Sequence, residues 1–155
     1  MDKNKVLTWD EFFMSTAKIA AMRSKDPNTQ VGACIVNKDK HIVGTGYNGM
    51  PEGTEDETAP WQREGSFENT KYAYVVHAEL NAILNSTENL KGCTIYVSLF
   101  PCNECAKAII QSGIKEVVYE DDKYKGTPSH NVSLKILSNA GVILRKTEGI
   151  KIKVH

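Results

Sequence analysis

The chain has 155 residues, 41% apolar and 25% charged, enough to bury one core, and it reads as a single domain over 1–155. Its 19 Lys and Arg balance 19 Asp and Glu, leaving no net charge, which argues against a nucleic-acid polymer that would favour a broad basic face. No apolar run reaches the roughly 18 residues that would suggest a membrane span, and Met1-Asp2-Lys3-Asn4-Lys5 opens without the marks of a secretion signal, so no membrane partner and a cytoplasmic location are expected.

Thr8-Trp9-Asp10-Glu11 has the form of a capping box, and Phe12, Phe13, Ile19, Ala20 and Met22 follow at helical spacing, which predicts a first helix from about 9 to 24. Val31 to Val36 and His41 to Tyr47, joined near Asn37-Lys38-Asp39, predict a hairpin whose apolar continuity implies a covered sheet. From Asn48 to about Thr70 no period is visible. Gly, Pro and the acidic residues Glu52, Glu55, Asp56 and Glu57 predict a long irregular segment, either functional or a solvated insertion.

Downstream, His77 to Asn85 predicts a short helix and Thr94 to Ser98 a strand. Cys102 to Ser112 predicts a helix stopped by Gly113. Glu116 to Tyr119 predicts a strand, Asn131 to Ala140 a last helix closed by Gly141, and Val142 to Leu144 another strand. Strands alternating with helices imply parallel pairing. The tail Ile150-Lys151-Ile152-Lys153-Val154 alternates cleanly and predicts one further edge strand.

Four cysteines in an intracellular chain point to metal binding or catalysis rather than to disulfides. His77-Ala78-Glu79, followed downstream by Pro101-Cys102-Asn103-Glu104-Cys105, matches the H-x-E and P-C-x-x-C signature of zinc deaminases. One imidazole and two thiolates make a three-ligand zinc site with its fourth position open to water, the arrangement of catalytic zinc. Such zinc brings the water's pKa to about 7. Glu79, two residues from a ligand, is placed to carry the proton without touching the metal.

Each part has a plainer reading. The C-x-x-C pair alone suits a redox couple or a structural zinc knuckle, but neither explains Glu79. Cys34 and Cys93 sit in or beside apolar strands and read as inert buried thiols. His41, His130 and His155 read as structural or surface residues, and Trp9 and Trp61 as packing residues.

Beyond the metal motif, Ser24 to Ala33, Gly46-Tyr47-Asn48-Gly49-Met50-Pro51, His77 to Ala82 and Leu99 to Lys107 resemble the motifs of the deoxycytidylate (dCMP) deaminase family. The resemblance implies a cytidine deaminase-like fold, a three-layer α/β/α sandwich whose mixed sheet has about five strands. The implied reaction turns dCMP and water into dUMP and ammonia, feeding thymidylate synthesis, with attack at C4 and Glu79 protonating N3. Carried over residue by residue, Asn48 becomes a sugar and substrate contact, Tyr124 the substrate-binding tyrosine, and Ala78 a further substrate-binding residue.

Arg23, Ser24 and Lys25, which cluster after the first helix, are candidates for the 5′-phosphate or a solvated helix end. The resemblance also implies a homohexamer activated by dCTP with Mg2+ and inhibited by dTTP. Asn48, Gly49, Met50 and Gly53 are the effector-site residues carried over. Rival readings are another deaminase of the same fold, acting on free cytidine, a tRNA adenosine or a riboflavin precursor, and a non-catalytic zinc module.

Overall fold

The computed structural model describes residues 6–54 and 58–155. The opening pentapeptide and the acidic residues Glu55, Asp56 and Glu57 lie outside them.

Helix α1 spans Trp9–Ala21, and its capping box forms as expected: Thr8 Oγ1 accepts the Glu11 N–H at 3.1 Å, and the Glu11 carboxylate accepts the Thr8 N–H at 2.8 Å. The helix ends three residues before the predicted position. Ser24 Oγ donates to Asn48 O at 2.8 Å, which draws the chain off the helix axis toward the sheet.

Strands β1 (Gly32–Val36) and β2 (Ile42–Tyr47) form the expected antiparallel hairpin. Asn37 Oδ1 closes it by accepting the Asp39 and His41 N–H groups at 2.9 and 3.0 Å. Strand β3 (Thr94–Leu99) pairs antiparallel with the other edge of β1, then parallel with β4 (Glu116–Asp121), which pairs parallel with β5 (Ile143–Lys146). The order is β2-β1-β3-β4-β5.

Because side chains alternate along a strand, the two faces separate cleanly. Ala33, Ile35, Ile95, Val97 and Val117 meet helices α2 (Ala78–Leu84), α3 (Asn103–Gln111) and α4 (Pro128–Asn139) through Ala78, Ala82, Ala106, Ile109 and Leu137. On the opposite face Cys34, Val36, Tyr96 and Val118 receive Phe13, Met14 and Ala17 of α1. This is the expected three-layer sandwich with a mixed five-stranded sheet. Both faces are covered, which is why β1 reads as a continuous apolar run.

Three further sequence expectations are corrected. The tail 150–154 forms no strand. The Ile150 N–H donates to Glu120 Oε2 at 3.0 Å and Ile150 O accepts from Lys18 Nζ, so its backbone is tied to side chains near α1 and β4 and not to a strand edge. Helix α4 begins at Pro128 rather than near 131, since Thr127 caps it and a first-turn proline needs no N–H partner. The segment 48–70 holds a short 3-10 helix at Phe67–Asn69, and Gly49 bridges to Val76.

The close approach of α2 to β2 matters most for function. A Cβ built on Gly46 would stand 2.4 Å from Ala82 N and 2.5 Å from Ala78 O, and one on Gly44 would stand 2.6 Å from Ala82 O. Only glycine lets this helix lie directly on the strand. Asn81 Nδ2, donating to Tyr47 O at 2.8 Å, sets its position along the strand.

Candidate active site

The start of α2 and the start of α3 meet beyond the carboxyl end of β3. His77 is the N-cap of α2 and Cys102 the N-cap of α3, so both side chains project from helix ends toward one point. His77 Nδ1 lies 3.4 Å from Cys102 Sγ and 3.3 Å from Cys105 Sγ. Two ligand atoms on a tetrahedral zinc, at typical Zn–N and Zn–S lengths, stand about 3.5 Å apart. The donor set fits zinc in both chemistry and spacing. Cys105 is buried while His77 and Cys102 keep solvent access, so the group is open on one side.

The thiols respond to this crowding. Hydrogen bonding from Cys105 pulls the Cys102 thiol well below its ordinary value, with His77 acting in the same direction. The same contact and burial push the Cys105 thiol up, and the hydrogen bond to Cys102 raises the His77 imidazole. A bound cation favours both thiolates and the neutral imidazole.

Glu79 lies in the first turn of α2, 4% exposed and outside the three-ligand group. Burial pushes its carboxyl up to about 7, against the opposing pull of His77. A carboxyl poised there can both take and return a proton at neutral pH.

His77, Glu79 and Cys102 open into a cavity of about 320 Å³, whose walls include Val31 and Asn48 on one side and Leu99, Phe100 and Pro101 on another. Ala78 closes part of its base with no exposed surface. The turn that carries Cys102 is held from behind, where Ser133 Oγ donates to Pro101 O at 2.8 Å.

The family model for the cytidine and deoxycytidylate deaminase zinc-binding region matches residues 7–121. The chain belongs to this deaminase family. It is 53% identical over 146 residues to deoxycytidylate deaminase of Homo sapiens, covering 93% of this chain and 82% of that one. It is 50% identical over 147 residues to a probable deoxycytidylate deaminase of Drosophila melanogaster, covering 90% and 72%. Among solved structures, dCMP deaminase of cyanophage S-TIM5 in complex with dCMP and dUMP superposes with a TM-score of 0.71 at 27% identity, covering 88% of this chain and 95% of that one.

In this deaminase, Asn48 lines the cavity with its amide largely committed: Oδ1 accepts the Val31 N–H at 2.8 Å, and Nδ2 donates to Thr29 O at 2.9 Å and Asp26 Oδ2 at 3.4 Å. Tyr124 lines it from the segment before α4, 47% exposed, with Lys123 Nζ 5.2 Å from its ring centre. Arg23, Ser24 and Lys25 do not line it. Arg23 sits over the Tyr47 ring, and Ser24 is buried on Asn48 O. Gly49 and Met50 are half-buried, and Gly53 is exposed with a left-handed backbone.

Several cavity residues were not singled out from sequence. Asp26, its side chain 1% exposed, binds Lys71 Nζ at 2.6 Å, and Arg63 joins Lys71 on the cavity wall. Asp26 Oδ1 also accepts the Asn28 and Thr29 N–H groups at 2.8 and 3.3 Å, an Asx turn that Asp26-Pro27-Asn28-Thr29 does announce. Nothing local marks Lys71 or Arg63. His130, expected to be structural or at the surface, is a buried part of the cavity wall. Trp9 packs by stacking on Phe13, 5.5 Å between ring centres, yet stays 55% exposed.

Proposed function

We infer that this chain catalyses zinc-dependent hydrolytic deamination of dCMP to dUMP and ammonia. The observation that carries the reading is Glu79, buried beside an open His77-Cys102-Cys105 group at a nucleotide-sized cavity, in a chain 53% identical to a deoxycytidylate deaminase. When bound, zinc supplies a Lewis acid that activates water at neutral pH. His77, Cys102 and Cys105 would hold it, beside the cavity that His77 and Cys102 line.

Glu79 takes a proton from the attacking water and delivers it to N3 of cytosine. As the C4–O bond forms, N3 receives the electron pair of the C4–N3 double bond. Glu79 then passes the second water proton to the exocyclic amine, and the C4–N bond breaks to release ammonia. Its burial beside the ligand residues places it to carry both transfers. Leu99, Phe100 and Pro101 shield one wall from water, Ala78 leaves room for the base, and Asn48 and Tyr124 contact the sugar and ring.

The phosphate end is better served by Lys71 and Arg63 than by Arg23, Ser24 and Lys25, because the former line the cavity and the latter do not. Regulation by dCTP with Mg2+ and by dTTP, through Asn48, Gly49, Met50 and Gly53, remains part of the reading, as do a homohexamer, a cytoplasmic location and one deaminase domain over 1–155. What supports these is resemblance, together with the position of Met50 to Gly53 on a surface turn next to Asn48.

The test is turnover of the zinc-loaded protein on dCMP beside deoxycytidine, followed by ammonia release. Strong preference for dCMP is expected. Equal rates on both would remove the nucleotide claim, and no turnover with zinc bound would remove the enzyme claim.

A further inference from the structure

Both ring nitrogens of His130 are buried and lack a hydrogen-bond partner among the described residues. The residue is 7% exposed, its ring stacks on Phe100 with 4.3 Å between centres, and it lines the same cavity as His77, Glu79 and Cys102. A neutral imidazole brings one donor and one acceptor, and buried polar groups in native proteins are almost always paired. A carbon ring would complete the stack on Phe100 without burying two polar atoms. Stacking alone therefore does not account for a histidine.

The position of the residue supplies the partner. His130 is in the first turn of α4, where its N–H donates to Thr127 Oγ1 at 3.4 Å, and the bond from Ser133 to Pro101 O holds α4 against the turn that carries Cys102. The neighbouring hydroxyls on this side are committed: Thr127 Oγ1 donates to Tyr124 O at 2.7 Å, and Ser129 Oγ donates to Asn103 Oδ1 at 2.9 Å. A half-turn about χ2 of His130 exchanges Nδ1 with Cδ2 and Nε2 with Cε1, and the ring keeps its outline and its stack. A nitrogen then stands on the opposite edge of the ring.

Resting on the dCMP reading above, we propose that His130 is a substrate-binding residue: with its ring turned, one ring N–H donates a hydrogen bond to an oxygen of the bound pyrimidine deoxynucleotide. Among the described residues nothing pairs the buried imidazole, and the nucleotide pairs it. Stability is given up in the empty state and recovered on binding, a pattern expected where a polar group serves a ligand rather than the fold.

The experiment uses the zinc-loaded full chain and its His130→Phe variant, which preserves the stack. Expected results are a melting temperature for the free variant at or above that of the parent, unchanged zinc content, and a KM for dCMP raised about tenfold, the order of one lost hydrogen bond. The melting-temperature gain on adding dUMP should shrink correspondingly. A KM within about twofold of the parent, with the full dUMP gain retained, overturns the proposal.

Should the variant not fold, the parent decides alone. Its four histidines can be labelled with nitrogen-15 and followed as dUMP is added. Movement of the His130 ring resonances supports the hydrogen bond, and ring resonances that stay put at saturation overturn it. A parent protein that neither deaminates dCMP nor gains stability from dUMP overturns the function reading itself, and this inference with it.

Discussion

Gly46 and Ala78 are so closely opposed that a Cβ on the glycine would stand 2.5 Å from the Ala78 carbonyl oxygen. Ala78 lies between His77 and Glu79, so this contact sets the height of both side chains above the sheet. Gly46→Ala must push α2 away from β2. The expected cost is on the order of 1–3 kcal/mol of stability together with loss of turnover. Gly149→Ala, where a Cβ meets nothing within 4 Å, serves as the control and should leave the melting temperature nearly unchanged.

Glu79→Gln keeps the shape of the buried side chain and removes its capacity to shuttle protons. Zinc content should stay at the parent level, because the three ligand residues are untouched. Turnover of dCMP should fall by roughly 10² to 10⁴. Metal analysis beside a steady-state assay checks both halves, and near-parental turnover would show that another group moves the proton.

Asp26 is the hub beneath one end of the cavity, holding Lys71 Nζ at 2.6 Å with both side chains largely buried. Burial raises its carboxyl pKa, but the hydrogen bond from Lys71 and the Asn28 and Thr29 N–H groups outweigh this and hold it below the usual carboxylate range. A depressed native pKa stabilises the fold above the unfolded value of about 3.9, and that stability is lost as the pH falls through the native value. Asp26→Asn should therefore cost roughly 3 kcal/mol near neutral pH. Its deficit against the parent should narrow in denaturant titrations carried below about pH 4. A deficit independent of pH would mean that the ion pair is not what Asp26 contributes.

Arg63→Ala separates the two assignments for the phosphate. Arg63 is exposed and lines the cavity, whereas Arg23 sits over Tyr47 outside it. The Arg63 variant should raise the KM for dCMP about tenfold or more and change turnover of deoxycytidine little, since a charge-assisted contact to phosphate is absent there. Arg23→Ala should leave both constants close to the parent. The reverse pattern would return the phosphate to the end of α1.

The two halves of the metal group and the run of strands and helices were legible in the sequence because both rest on short-range spacing, whereas the three-layer order came from the family resemblance. His77 and Glu79 are two apart, Cys102 and Cys105 three, and the strands announce themselves by short apolar runs rich in β-branched residues. What could not be read depends on chain segments that meet only after folding. Lys71 reaches Asp26 across 45 positions, and Tyr96 reaches Asp10 across 86, with no local pattern to signal either. The tail shows the converse failure. Ile150 to Val154 has the alternation of a strand, but alternation specifies a face and not a partner, and side-chain contacts near Glu120 and Lys18 claimed the Ile150 backbone instead.

Helices α2 and α3 each bring part of the zinc group to the other, across sequence separations of 25 residues to Cys102 and 28 to Cys105. An ion held by both closes a loop that contains β3 and the turn before α3. Closure of that kind removes freedom from the unfolded chain as well as joining the folded one. Metal loss and unfolding should then be coupled, so bound zinc in a purified sample becomes a gauge of how much of the chain has reached its native arrangement.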